Sequence, residues 1–295
     1  MTPNILRSTA FCAAAINFVL QLANPNNFQW RTTNDIQQGY LERFGKLTPQ
    51  ETDILLAYLK GKATNIDTDL NNWFAENGFP NMKLSYPESA MGFGAIFDLL
   101  VEWIRPGTNT KLTIDNQIFE AIKMNCKPGA VAAYNLEGYD YPMFVLDTRD
   151  KGWKVHLLET EFLLDDVDLL TVATDILVSK KTPFLFSEVI FPSVDMEIDV
   201  DLEWLIGIGL EKNPFQIEKA KKIVRLKLDD NGARAQSAVA IASRSFISQK
   251  GEVYRFTKPF FIIFTNDNIS IPPFVAIVSQ DAWNVVLSSS TNDEL

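Results

Sequence analysis

Four carboxylates at alternate positions have the side-chain chemistry of a calcium site. They are Asp195, Glu197, Asp199 and Asp201, and calcium takes oxygen ligands of this kind. Apolar residues separate them at positions 194, 196, 198 and 200. Strict alternation predicts a β-strand with all four carboxylates on its solvent-facing side, and the loop geometry that calcium needs is missing. We therefore predict no metal site and no cofactor here.

Hydrolytic catalysis finds little support in the remaining residues. The only histidine, His156, lies in the apolar strand pattern of residues 153–158, and no Gly-x-Ser-x-Gly elbow supplies a nucleophile for it. The run Gly92-Phe93-Gly94 lacks the third glycine of a dinucleotide-binding loop. We predict that the protein is not an enzyme.

Length and charge limit the classes of partner. The chain has 295 residues and a formal net charge of -10, and because phosphate binding relies on clustered Lys and Arg, nucleic acid is not an expected partner. One basic stretch, residues 219–227, could meet a polyanion or could form the solvated face of a strand. No linker or repeat divides the chain, and no run approaches the length of a membrane span. We predict a single domain over residues 1–295, a monomer, and no membrane partner.

The first 23 residues allow two interpretations. One positive charge, at Arg7, precedes an apolar run, which is typical of a secretory signal peptide. The same run carries the polar residues Asn17 and Gln21, which favour a helix of the folded protein. Two cysteines, Cys12 and Cys126, give no disulfide framework.

Two further features suggest the secretory pathway. The chain ends in Asn292-Asp293-Glu294-Leu295, which differs by one residue from the Lys-Asp-Glu-Leu address for retention in the endoplasmic reticulum. The sequon Asn268-Ile269-Ser270 is a candidate for N-glycosylation. We predict a secreted protein or one of the secretory pathway, and retention stays an open alternative.

An unusual connection must position whatever chemistry the protein has. Residues 223–228 alternate apolar and basic side chains, and residues 260–265 form an aromatic and β-branched run, so both predict strands. The long segment between them starts at Gly232 and uses small side chains instead of the usual loop residues. Small residues can enter a packed core without overfilling it. If this segment joined a sheet, one face would carry Ala233, Ala235, Ser237 and Val239.

This part of the chain resembles the serpins, the serine protease inhibitors. Residues 191–202 look like the family's Pro-x-Phe-x-x-Glu-x-x-Tyr-Asp-Leu strand, and Gly207 and Gly209 look like the end of the following Leu-Gly helix. Residues 256–264 are similar to Phe-x-x-Pro-Phe-x-Phe-x-Ile, and residues 273–278 to the closing Pro-x-Phe-x-Gly-x-Val.

Weaker similarities extend upstream. Residues 70–74 look like the family's Ile-Asn-x-Trp-Val helix, residues 93–103 like the central strand that ends in a tryptophan, and residues 139–158 like the paired strands that follow. The resemblance implies an α+β fold with a large central mixed sheet, a smaller barrel-like sheet, and helices mainly in the N-terminal half.

The resemblance also implies a mechanism. A reactive-centre loop, at about residues 233–255, would be exposed as bait, and after cleavage it would insert into the central sheet as a new strand. Trp103 would pack where insertion begins. The hinge of the loop would comprise small residues, namely Gly232, Ala233, Ala235, Ser237 and Ala238.

The position of the reactive bond follows from counting along the loop. Counting from Gly232 places it at Phe246-Ile247, which implies a chymotrypsin-like serine protease as partner. Counting back from Pro259 gives a position two residues later, because this loop is longer than usual. The alternative bond Arg244-Ser245 would suit a trypsin-like protease.

The chain departs from the family's pattern in its N-terminal half. The segment between the first helix and the helix at residues 70–74 is short, and the motif Ser-Pro-x-Ser-Ile is missing. Ala95 and Lys222 stand where the family has an Asn and a His that hold and release the sheet. Two functions therefore remain: a serine-type endopeptidase inhibitor that acts by loop insertion, and a non-inhibitory serpin-fold binding or chaperone-like protein of the secretory pathway.

Overall fold

The computed structural model describes residues 7–87, 89–162, 164, 166–211, 213–233 and 252–286. The α-helices of this part are α1 (Ala13–Ala23), α2 (Asp35–Arg43), α3 (Pro49–Leu56), α4 (Asp67–Glu76) and α5 (Asp166–Val178). Four of the five lie in the first 76 residues, as the resemblance implies. Among the described residues, the helices are too short or too polar to cross a bilayer.

Most of the described chain is β-structure. The strands are β1 (Thr9–Phe11), β2 (Trp30–Arg31), β3 (Leu59–Thr64), β4 (Gly92–Phe97), β5 (Val101–Glu102), β6 (Thr108–Ile114), β7 (Gln117–Asn125), β8 (Val131–Leu136), β9 (Met143–Asp147), β10 (Trp153–Glu159), β11 (Lys181–Phe184), β12 (Glu188–Pro192), β13 (Val194–Asp201), β14 (Gly209–Leu210), β15 (Asn213–Gln216), β16 (Lys221–Leu228), β17 (Gly232–Ala233), β18 (Val253–Arg255), β19 (Phe260–Asn266) and β20 (Phe274–Val278).

A seven-stranded sheet in the order β1-β20-β19-β10-β9-β8-β11 carries much of the core. Strands β19 and β20 are apolar on both faces and buried almost throughout, because α5 packs against β20 on one side and the main core covers the other. This is the sheet that was predicted to contain residues 260–264 and 274–278. It has more strands than the central sheet, which is interrupted.

A second sheet has the order β18-β12-β7-β6, and it divides a segment that the sequence pattern treated as one strand. Residues 191 and 192 belong to β12 in this sheet, whereas β13 belongs to the central sheet. Between them the Ser193 backbone N–H donates to the Glu120 carbonyl at 3.0 Å. The two strands separate because Ser193 bonds to β7 and its successors bond to β16.

The central sheet has the order β13-β16-β17-β5, and β3 and β4 form a separate pair. The acidic residues of β13 lie beside the basic residues of β16: Glu197 accepts from Arg225 at 2.6 Å, and Asp199 pairs with Lys221 at 2.9 Å. Asp195, Glu197 and Asp199 are exposed. The alternating carboxylates thus form a strand face, as predicted, and basic residues of the 219–227 stretch meet them.

The segment with two interpretations is part of the folded core. Strand β1 pairs with β20 through residues 9–11, and α1 follows, with Ile16 and Leu20 buried. The Asn17 side chain is buried too, donating to the Phe44 carbonyl at 2.7 Å and accepting from the Tyr40 hydroxyl at 2.8 Å. This is the helix interpretation, in which the polar residues of the run bond inside the fold.

Candidate strand-insertion site

The site is a gap in the central sheet between β4 and β16, which we call the slot. Within the described residues, β4 pairs with β3 alone, and β16 pairs with β13 along its length but with β17 only at Leu228. A cavity of about 700 Å³ lies there, and apolar residues of α1 line its rear, among them Ile16, Val19 and Leu20. Both borders of the slot therefore have backbone edges that another strand could pair with.

Helix α4 covers the front of the slot. Its residues Leu70 and Phe74 pack with Ile96 of β4 in a small core cluster. A Cβ atom on Gly94 would lie 2.8 Å from the Phe74 ring, so glycine allows the helix to approach the strand closely. Since side chains alternate along β4, Ala95 faces the rear, towards α1.

The chain that follows α4, residues 77–87 and 89–91, forms a connector along the cavity. The Asn71 side chain holds Leu84 by both its backbone groups at 2.9 Å. Lys219 donates to the Ser85 carbonyl at 3.0 Å, and the Arg225 guanidinium lies 4.8 Å from the centre of the Phe79 ring. These contacts join the connector to α4 and to the chain of β16, one border of the slot.

A tight turn closes the upper end of the slot. The Asp229 carboxylate accepts from the backbone N–H groups of Asn231 at 2.9 Å and Gly232 at 3.2 Å. Trp103 is fully buried against this turn. Its backbone N–H donates to the Asn231 carbonyl at 2.9 Å and its indole N–H to the Asp229 carbonyl at 3.0 Å. The predicted role of Trp103 at this end thus has a definite contact set.

Strand β17 occupies the first positions of the slot. Ala233 lies opposite Leu228 of β16 and Val101 of β5, and Gly232 lies opposite Glu102. Ala233 is 0% exposed, and a Cβ atom on Gly232 would lie 2.1 Å from the Val101 carbonyl oxygen. At this point the backbones are too close for any side chain.

The predicted exposed segment 233–255 is therefore shorter at both ends. Its first residue, Ala233, is within the sheet, because the turn at Asp229 directs the chain between β16 and β5. Its last three residues form β18, which pairs in parallel with β12. Beyond β18, the buried Glu159 carboxylate accepts from the Lys258 backbone N–H at 2.8 Å.

Several predicted residues lie outside the described residues. They are the hinge residues Ala235, Ser237 and Ala238, the alternative bonds Phe246-Ile247 and Arg244-Ser245, and the C-terminal Asn292-Asp293-Glu294-Leu295.

Lys222 is the functional candidate that the sequence patterns did not reveal. Its ammonium group donates to the Ala10 carbonyl at 2.7 Å and to Asp166 Oδ1 at 3.0 Å, and it lies 5.5 Å from the centre of the Phe11 ring. Its side chain is only 10% exposed. The two bonded partners are 212 and 56 residues away along the chain, so no local spacing could signal the contact.

The structure gives His156 a packing role. The imidazole is buried in β10, and its Nε2 atom lies 2.8 Å from the Thr265 hydroxyl. Burial, reinforced by Lys181 and Lys154, lowers its pKa from 6.5 to about 3. A neutral imidazole between two strands, hydrogen-bonded to a threonine, is an ordinary core residue.

The sequon lies at the turn between β19 and β20. Asn268 is exposed, Ile269 is buried, and the Ser270 backbone N–H donates to Glu51 Oε1 at 2.7 Å. The Asn268 side chain is thus accessible for modification on a firmly held turn.

The fold matches solved structures, although no protein-family model and no curated protein matches the sequence. A serpin from Schistosoma mansoni matches with a TM-score of 0.60 and 12% identity, over 92% of this chain and 95% of that one. A highly specific serpin from the insect Tenebrio molitor gives 0.56 and 11%, over 92% and 91%. Human thyroxine-binding globulin complexed with thyroxine gives 0.58 and 10%, over 94% and 92%. The chain has the serpin fold, and at these identities the likeness concerns the fold alone.

Proposed function

We propose that this serpin-fold protein is a serine-type endopeptidase inhibitor whose reactive loop, once cleaved, inserts into the slot between β4 and β16. The observation that carries the proposal is strand β17. Its two residues lie between β16 and β5 in antiparallel register with both, and the cavity continues below them. The next residues of the chain would need only to extend a strand that has already begun.

The register of β17 tells which side chains would enter the core. Ala233 lies opposite Leu228, so an extended antiparallel strand would bring Ala235 opposite Leu226 and Ser237 opposite Val224. Leu226 and Val224 are buried. Small side chains at 235 and 237 would fill the slot without overpacking it.

The proposed chemistry belongs to the protease. Its serine hydroxyl attacks the carbonyl carbon of Phe246, the Phe246-Ile247 peptide bond breaks, and the amine of Ile247 leaves, so that Phe246 becomes an ester of the protease. Loop insertion then carries the ester away from the geometry in which water would hydrolyse it. The partner is chymotrypsin-like for Phe246 and trypsin-like for the alternative bond Arg244-Ser245. The protein itself contributes no catalytic group and no cofactor.

Insertion would be driven by pairing that the uncleaved sheet withholds. Each new backbone hydrogen bond contributes about 0.5–1.5 kcal/mol net, and the apolar cavity would be filled. We expect the protein to act as a monomer with a single domain over residues 1–295, since the insertion needs only its own sheet.

A second candidate is a non-inhibitory binding or chaperone-like protein of the secretory pathway. Ala95 and Lys222 favour it, because they replace the Asn and His that the resemblance predicts at the centre of the sheet. The likeness to a thyroxine-binding globulin is compatible with it. For either function we propose a secreted protein or one of the secretory pathway, with retention through residues 292–295 as an alternative.

The test is incubation with chymotrypsin, elastase and trypsin, followed by denaturing electrophoresis. The inhibitor should form an adduct with one of them that survives SDS. Phe246→Ala should remove the adduct with chymotrypsin and Arg244→Ala should leave it, whereas the reverse pattern would move the reactive bond to Arg244-Ser245. Clean cleavage in the loop without any adduct would instead favour the second candidate.

Thermal unfolding before and after loop cleavage separates the two candidates independently. About seven newly paired residues should raise the melting temperature by at least about 10 °C. An unchanged melting temperature would mean that the cleaved loop does not enter the slot.

A further inference from the structure

The open slot poses a physical question about its width. Because β17 is antiparallel to both β16 and β5, the two borders of the slot run parallel to each other. Their free edges could pair directly if β16 moved towards β4, and protein interiors tend to eliminate such unfilled space. Some contact must therefore hold β16 away from β4 by about 10 Å, which is two strand spacings.

Lys222 makes the contact that fits this role. It lies in the middle of the chain of contacts behind β16, where its ammonium group is bonded to the Ala10 carbonyl of β1 at 2.7 Å and to Asp166 of α5 at 3.0 Å. Both partners belong to the body of the protein behind the sheet, since β1 is fixed in the seven-stranded sheet by β20. A shift of β16 towards β4 would leave this nearly buried cation without its partners, which is costly.

We propose that Lys222 is a positioning residue that keeps the slot at strand width by anchoring β16 to β1 and α5. The inference rests on the proposed function, because it explains how the protein keeps a vacancy ready for its own loop. The anchor does not touch the protease or the reactive bond. It acts on the speed of insertion through the position of β16.

The neighbouring lysine on the same strand provides a matched control. Lys221 pairs with Asp199 of β13 at 2.9 Å, and β13 is joined to β16 along eight residue pairs. A contact between two strands that move together cannot fix their distance from β4. Lys221→Met therefore removes the same charge from β16 without releasing the anchor.

Amide hydrogen exchange in the uncleaved protein tests the anchor directly. In Lys222→Met the slot should close, so the amides of residues 92–97 should exchange at least tenfold more slowly than in the unchanged protein, relative to the amides of 260–266. Lys221→Met should leave the ratio as it is. A ratio in Lys222→Met that is unchanged or higher would overturn the proposal.

A milder variant guards against loss of folding. Asp166→Asn keeps the bond from Lys222 to the Ala10 carbonyl and removes the carboxylate, so it should slow the same amides by a smaller factor. If Lys222→Met does not fold, an exchange ratio in Asp166→Asn equal to that of the unchanged protein contradicts the anchor, and a lower ratio supports it.

Uptake of a peptide connects the anchor to insertion. A synthetic peptide with the sequence of residues 233–246 should enter the slot of the uncleaved protein and raise its melting temperature, and its uptake by Lys222→Met should be at least tenfold slower. Uptake at the original rate by a variant whose slot has closed would contradict the role in insertion. If the unchanged protein takes up no peptide, the proposed function fails, while the exchange measurement still decides whether Lys222 holds β16 in place.

Discussion

Gly232 brings its backbone so close to β5 that no side chain fits between them. The clearance around this glycine is best judged against a glycine in an open position, and α2 offers one. A Cβ atom on Gly232 would lie 2.1 Å from the Val101 carbonyl oxygen, whereas a Cβ atom on Gly39 would meet nothing within 4 Å. The same substitution should therefore have opposite effects at the two glycines.

Gly232→Ala should destabilise the protein by about 1–3 kcal/mol, because the new methyl group pushes β17 away from β5. Gly39→Ala, inside helix α2, should stabilise it by about 0.5–1 kcal/mol through helix propensity. Chemical denaturation of both variants measures this difference. Equal stabilities for the two would mean that β17 does not lie as close to β5 as the structure has it.

His156 should make stability depend on pH in a range where no other side chain has its ordinary pKa. The unfolded chain binds the proton near pH 6.5 and the folded chain only near pH 3, so acid favours unfolding. Stability is complete above about pH 6.5 and falls as the pH drops through that value, by about 1.4 kcal/mol at pH 5.5. Denaturation of the protein and of His156→Asn at pH 7 and 5.5 checks this, since the variant should lack that loss. The same loss in both would assign it to another group.

At the scale of elements, β17 connects the turn at Asp229 to the slot. Its side chain Ala233 lies in a fully buried position between Leu228 and Val101. A two-residue strand has little stability of its own. The site is therefore sensitive to what the Ala233 position carries.

Ala233→Arg should leave cleavage of the loop intact and reduce the SDS-stable adduct at least tenfold, because a charge would have to enter the core without a partner. Ala233→Ser, which is small, is the control and should retain most of the adduct. Electrophoresis after incubation with the target protease gives both quantities. Trapping that survives Ala233→Arg would show that the register of β17 is not the register of insertion.

At the scale of the whole molecule, the N-terminal segment builds the rear of the slot. Strand β1 supplies the Ala10 carbonyl to Lys222, and α1 lines the cavity with Ile16, Val19 and Leu20. Burial of a large apolar side chain contributes about 1.5–3 kcal/mol, and a folded domain has a net stability of only about 5–15 kcal/mol. The fold therefore depends on residues that could also be read as a signal peptide.

A chain that lacks residues 1–23 should lose cooperative thermal unfolding, because the core and the slot would be open at the rear. Circular dichroism during heating measures the transition. A sharp transition at an unchanged temperature would instead favour the signal-peptide interpretation. Determining the mass of the mature protein would show independently which residue comes first.

Much of the fold was already predictable from local pattern. Alternation identified β16 and the exposed carboxylates of β13, and the apolar run at 260–265 identified β19, because a strand's two faces repeat every second residue. Phe93 to Trp103 was predicted as one strand, but the structure divides it into β4 and β5. That break depends on what the two halves pair with.

The sequence by itself determined the small-residue stretch that begins at Gly232 and the strands on either side, since side-chain size and period are local properties. Only the tertiary structure decided that Ala233 already lies in the sheet, that a gap continues below it, and that Lys222 bonds to Ala10 and Asp166. Those facts depend on which distant segments meet, and the spacing of residues along the chain does not encode the distance between two strands that have nothing between them.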